Sequence, residues 1–272
     1  MRVGPDEPPS PLVPQRGRCP PPIHARDLIE GLGKGLRVIE AFSEDQPRLT
    51  PSQAAAATGL TRTAARRYLL SLVHFGYAAT DGKQFWLAPR VLRLGQSYLG
   101  AARLPRIAQP FIQQVSAQTG ETVNVSVLDG HEVVYVARSS PPRWVSVGYQ
   151  VGVRVPAHVV TPGPVILSTW SEAALAEWVA AHAFATFTAR TVTDTASFVE
   201  EVQRARRQGY WFTSGQLDAV YQGLSLPLID RKGRCHGAIG MTVIASQYSE
   251  EAMLTRLLPP LREAAQAMRA VL

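Results

Sequence analysis

Arg62, Arg66 and Arg67 crowd a short stretch that contains no acidic residue. If the stretch is helical, Thr63 and Arg67 project from one side, Arg66 lies on their flank and Arg62 falls in the first turn. Arginines offered from the N-terminal half of a helix suit the major groove of DNA; the alternative is a helical face that is merely solvated. Lys83 follows in a turn where a phosphate or a minor groove would pass. Thr161-Pro162-Gly163 offers a different chemistry, because a helix that starts there exposes backbone amides that attract anions. Gly163 would let a ligand approach that backbone, although an ordinary capped helix start has the same residues. His158 could pair with a carboxylate or serve as a satisfied structural histidine. Gly-x-Ser-x-Gly, His-Glu-x-x-His, P-loop and paired Cys-x-x-Cys motifs are all missing, and Asp194, Asp218 and Asp230 are scattered as turn and surface residues. These residues point to binding, with no catalytic group, cofactor or metal expected.

The elements that must position them are legible around the arginines. Leu36, Ile39 and either Val38 or Phe42 recur at helical spacing in a first helix that begins near Leu28. Thr50-Pro51-Ser52-Gln53 carries a cap, a proline at the first helical position and a glutamine three residues after the cap, which is a capping box. That short helix stops at Gly59. Thr61 can cap a third helix to about Phe75, whose inner face is Ala65, Leu69, Leu72 and Val73. Two apolar runs joined at Asp81-Gly82 then predict a hairpin with a tight turn in which both central residues take positive φ. A helix-turn-helix followed at once by a hairpin is a winged helix, spanning 28–88.

Downstream the pattern is mixed. A linker helix occupies 89–104, and a second domain covers 105–272. Its opening helix runs from about Arg106 to Gln118. Val123, Val125 and Val127 alternate with polar residues, Asp129-Gly130 turns the chain, and Val133 to Val136 returns. A further strand pair is expected from Trp144 to Val155. The runs Leu224–Ile229 and Ala238–Ile244 flank another turn, and a closing helix fills Tyr248–Leu272. The fold class is α+β with a mainly antiparallel sheet.

Composition is consistent with this. The chain has 272 residues, 46% of them hydrophobic and 18% charged, and its net charge of +7 suits a polyanionic partner. Eight of its 21 prolines fall within residues 1–27, a tail expected to be disordered. That tail has no apolar core of a secretory signal, and no run of about 18 apolar residues could span a bilayer. The two cysteines, Cys19 and Cys235, form no disulfide framework, so a cytoplasmic protein is expected. One recognition helix covers few base pairs, which predicts at least a dimer on operator DNA.

The segment from Gly33 to Gly95 resembles the DNA-binding domain of the IclR family of bacterial transcription regulators. The segments Gly120–Arg138, Val151–Ser168 and Gly223–Val243 resemble the effector domain of that family, so the resemblance covers about Leu28 to Leu272. It implies a GAF-like domain holding a small effector between sheet and helices, with Gln216, Gly223 and Thr242 lining the pocket, and often tetramers on DNA. The branch it resembles most controls catabolism of aromatic acids, and the expected effector is a carboxylate, with Trp211 and Phe212 as apolar walls. Three departures stand out: Ser214 and Gln216 occupy positions that are acidic in the family, Val220-Tyr221-Gln222-Gly223 replaces its Gly-Leu-Arg-Ser, and Pro164 replaces a basic residue. They leave open a second reading, a winged-helix protein whose second domain has lost its effector and serves only oligomerisation.

Overall fold

The structure is a computed structural model that describes residues 24–141 and 148–272. Most of the proline-rich tail, with Cys19, and the start of the strand pair expected from Trp144 lie outside the described residues. The chain forms two compact units, one ending at Tyr98 and the other spanning Leu99–Leu272.

The smaller unit is three helices and a wing. Helix α1 (Glu30–Glu40) buries Val38 completely, whereas Leu36 stays 43% exposed; Val38 supplies the fully buried contact, and Phe42, just past the helix end, packs against the same core. Helix α2 (Pro51–Thr58) begins with the expected capping box: Thr50 accepts from the Gln53 backbone while the Gln53 side chain accepts from the Thr50 backbone. Gly59 ends it in the left-handed conformation at φ 67°, where glycine has no Cβ to strain. Helix α3 (Arg62–His74) is capped by Thr61 and buries Ala65 and Leu69 against Val38, Leu49, Ala54 and Phe85.

The wing differs from the two-residue hairpin. Strands β1 (Ala78–Thr80) and β2 (Phe85–Leu87) are joined by the four residues Asp81 to Gln84, because Thr80 pairs with Phe85. The Asp81 carboxylate accepts from the Lys83 and Gln84 amides at 2.9 and 2.7 Å, and Gly82 takes a positive φ, 94°. An aspartate that bonds the backbone ahead of it makes a turn by itself, so the side chain closes a four-residue connection in place of a two-residue type I′ turn. Leu49 adds a bridge to Phe85, through 2.9 and 2.8 Å bonds, that the sequence did not announce.

In the larger unit, α4 (Leu92–Ala101), which carries the boundary between units, and α5 (Arg103–Thr119) lead into a six-stranded sheet. Strands β3 (Val123–Asp129), β4 (Glu132–Ser139), β5 (Arg154–Pro156), β6 (Trp211–Ser214), β7 (Tyr221–Ile229) and β8 (Cys235–Ile244) pair antiparallel in the order β5-β4-β3-β8-β7-β6. Of the strand pair expected to end at Val155, the described part is β5 alone, paired with β4. Val123 and Val125 pair with Met241 and Ile239, which in turn pair with Leu224 and Leu226. Side chains alternate along a strand, so these residues form one apolar face. Helix α5 and α10 (Leu258–Met268) cover it.

The other face is different in kind. Asn124 pairs with Gly240, Gly240 with Ser225, Thr242 with Gly223, and Gly223 with Thr213. Small and polar residues thus run across four strands, although Asn124 and Ser225 are buried. Helices α6 (Pro162–Leu167), α7 (Glu172–Ala180) and α8 (Thr195–Gln208) belong to this side, with α6 laid directly on β7 and β8. At the C-terminus α9 (Glu250–Ala252) and a π-helical turn, Met253–Leu257, precede α10.

Candidate functional site

Two places gather the residues of interest. On the smaller unit, Arg62, Thr63, Arg66 and Arg67 are all exposed on the first half of α3, and Lys83 is exposed in the wing turn. None of these cations is paired with a carboxylate among the described residues, and the first turn of α3 has no acidic residue. The helix is held from both ends: Thr61 caps its start, and Arg90 donates to the Phe75 carbonyl beyond its end at 2.9 Å. Arg48 lies over the Trp86 ring of the wing at 4.4 Å from its centroid, a cation–π contact that braces β2. An unpaired basic face on a rigid helix beside a wing is able to enter a groove of DNA.

On the larger unit a narrow cavity of about 30 Å³ opens on the polar face of the sheet. Tyr135, Tyr149, Thr213, Gln216, Gly223 and Thr242 are among its walls. The two tyrosine rings stack at 4.7 Å between centroids. Burial drives both phenols up, Tyr149 to about 12, so each keeps its proton. Gln216, Gly223 and Thr242 therefore come together as the resemblance implied.

Gly163 and His158 do not. The helix start at Thr161 offers an anion nothing: Pro162 and Pro164 have no N–H, the Gly163 amide donates to the Val160 carbonyl at 3.1 Å, and the Val165 amide donates to Thr161. The Thr161 hydroxyl caps no amide and bonds instead to Ser225 Oγ at 2.7 Å. Gly163 is a glycine for packing, since a Cβ there would run into the Ala157 carbonyl.

His158, 1% exposed, points into a ring cluster with His182, Phe184 and Phe187. Its Nε2 donates to the Ala185 carbonyl at 3.0 Å, so its Nδ1 must accept from His182 Nε2 at 2.8 Å, and His182 Nδ1 in turn accepts from His131 at 3.2 Å. The three imidazoles satisfy one another, and burial holds His182 down at about 4. The aromatic walls also differ from expectation. Trp211 packs under α6 and α8 with Val165, Ile166 and Ala205, and the two tyrosines take its place.

A carboxylate that the sequence left unnoticed does approach the cavity. Gln216 Nε2 donates to Glu201 Oε1, on α8, at 2.7 Å. Thr191 and Thr188 hydroxyls hold the Gln216 carbonyl at 2.6 and 3.3 Å. Burial pushes Glu201 up to about 7, against the lowering effects of Gln216 and Arg204. The amphipathic spacing of Phe198, Glu201, Val202 and Ala205 on α8 was the available signal. Between pH 5 and 8 an unfolded glutamate is already charged while Glu201 still holds part of its proton. Native stability therefore falls as pH rises through that window, by about 2 kcal/mol. Glu201→Gln should flatten this slope; urea unfolding of both proteins at pH 5 and pH 8 checks it, and parallel losses would assign the slope to other groups.

A winged helix with a free basic face, joined to a unit whose sheet carries a cavity under helices, defines a DNA-binding regulator with a separate sensing domain. The comparisons agree. A family described as the IclR helix-turn-helix domain matches residues 31–82, and one described as the bacterial transcriptional regulator IclR C-terminal domain matches residues 96–270. The chain belongs to the IclR family of bacterial transcriptional regulators, as a ligand-responsive DNA-binding protein. It is 36% identical to the p-hydroxybenzoate hydroxylase transcriptional activator of Acinetobacter baylyi, over 91% of this chain and 93% of that one. A crystal structure of a transcriptional regulator from Rhodococcus superposes with a TM-score of 0.77 at 35% identity, covering 89% of this chain and 97% of that one. The inducer-binding domain of Acinetobacter PobR, a double mutant in complex with 3-hydroxybenzoic acid, superposes at 0.60 with 30% identity, over 63% of this chain and all of that one.

Proposed function

We propose that this chain is a cytoplasmic regulator, and no enzyme, that senses a small aromatic carboxylic acid in the cavity beside Gln216 and binds operator DNA through α3 and the wing. Arg62, Thr63, Arg66, Arg67 and Lys83 are its DNA-contacting residues, and Gln216, Gly223 and Thr242 its effector-contacting ones. The observation that carries the sensing half is the buried polar face of the sheet. An interior built of Asn, Ser, Thr and Gly forgoes apolar packing, and the stacked tyrosines beside it are a wall for a ring. The relative that carries 3-hydroxybenzoic acid supports the ligand class. Two recognition helices of a dimer, or a tetramer of such pairs, would meet half-sites about 34 to 36 Å apart or multiples of that.

The tight cavity, with room for roughly one water, favours one other reading, a second domain that only oligomerises. Thermal melting with benzoate and hydroxybenzoates, followed by calorimetric titration, decides between them. A rise in melting temperature that saturates with ligand supports sensing, and no response to the panel supports the oligomerisation domain.

A further inference from the structure

Gln216 is 7% exposed and Glu201 9%, and each leaves one oxygen without a hydrogen-bond partner: Gln216 Oε1 and Glu201 Oε2. The two groups use one another for their remaining contact, through the amide Nε2, and the Gln216 backbone is held by Thr188 and Thr191. A buried, immobilised amide whose oxygen has no partner is costly to leave as it is. Of the two, Gln216 lines the cavity, and its oxygen becomes satisfied when a ligand brings a donor. Among the described lining residues the cavity has no Lys or Arg, and Asp218 is on the same rim, so the end of the ligand that meets Gln216 is not its carboxylate.

We infer that the Gln216–Glu201 pair selects effectors that carry a ring hydroxyl, whose proton is donated to Gln216 Oε1 while Glu201 holds the amide in that orientation. This rests on the cavity being the effector site. Gln216 is thus the specificity-determining contact and Glu201 a positioning residue. Glu201 acts by taking one amide proton at Oε1 and so turning the amide oxygen toward the ligand. The selectivity follows from what the site does to the wrong ligand: an aromatic acid with hydrogen or fluorine in place of the hydroxyl enters with Gln216 Oε1 still unpaired, and sites built to hydrogen-bond a hydroxyl reject analogues without it more strongly than apolar sites reject a methylene.

The test is calorimetric titration of the full-length protein at pH 8 with 4-hydroxybenzoate, 3-hydroxybenzoate, 4-fluorobenzoate and benzoate. Fluorine resembles hydroxyl in size and cannot donate. One of the hydroxybenzoates should bind on the order of tenfold or more tightly than 4-fluorobenzoate. Gln216→Leu should bring the two within about threefold while 4-fluorobenzoate still binds, and Glu201→Gln should reduce the preference without abolishing binding. Equal affinities for all four acids in the wild type, a comparison that needs no variant to fold, would overturn the inference and leave the cavity reading standing. So would a preference that survives Gln216→Leu. Failure of every acid to bind would overturn the cavity reading and the inference together.

Discussion

Gly163→Val should destabilise the larger unit by about 3 kcal/mol, the scale of overpacking in a closed interior, and lower its melting temperature by roughly 6–12 °C. Gly163 lies in the second position of α6, fully enclosed, with the Ala157 carbonyl where a Cβ would have to go. That carbonyl belongs to backbone that cannot step aside, because Ala157 also donates its amide to His131 at 3.0 Å. Even Gly163→Ala meets the same obstacle. Circular dichroism melting without any ligand measures the loss. An unchanged melting temperature combined with weaker effector binding would restore Gly163 to the ligand site, which the hydrogen bonds of α6 argue against.

Arg67→Ala should reduce specific operator affinity by about 1–3 kcal/mol if Arg67 reads a base, and relax the sequence preference at one position. If it meets a phosphate, all affinities should fall together and the salt slope should shrink by about one. Either way the fold should be untouched, because the Arg67 side chain is exposed and its hydrogen-bonding role within α3 is through its carbonyl, which accepts from Ser71. Fluorescence anisotropy on operator and scrambled duplexes across a salt series separates the outcomes. Equal affinity to wild type at every salt concentration would remove Arg67 from the interface.

The smaller unit was readable because its signals are local. A capping box, a Thr cap and a left-handed glycine each act within four residues, so Thr50, Thr61 and Gly59 declare themselves in order. The wing was misread at the level of one turn because the Asp81 side chain organises a four-residue connection, which the Asp-Gly pair alone does not reveal. The bridge from Leu49 to Phe85 spans too much chain to leave a periodic trace.

In the larger unit the strand at Val123 declared itself through alternation and those at Leu224 and Ala238 as apolar runs flanking a turn, whereas β6 was too short and aromatic to do so. The anion site at Gly163 failed for a reason visible in the sequence: two prolines in the first three helical positions remove two donors. What took up the third, the Val160 carbonyl, is a tertiary detail. The Glu201–Gln216 contact joins a helix to a loop fifteen positions on, and although the apolar spacing around Glu201 places it on the inner face of α8, that spacing does not reveal which partner it meets there.

The division of the sheet by side-chain parity separates two kinds of inheritance. Leu224, Ile239 and Met241 answer to α5 and α10, and their identities are constrained by how the domain folds. Gly223, Ser225, Gly240 and Thr242, interleaved with them one residue away, face α6 and the cavity. If the cavity is the effector site, substitutions at its threonines should change what the domain recognises while the framework is left alone, whereas a side chain at Gly240 would collide with Ser225 and the Leu224 carbonyl. A gene library varied at Thr213 and Thr242, with their apolar neighbours fixed, should yield folded proteins at a higher rate than one varied at Leu224 and Met241, and the sensors of new specificity should come from the first.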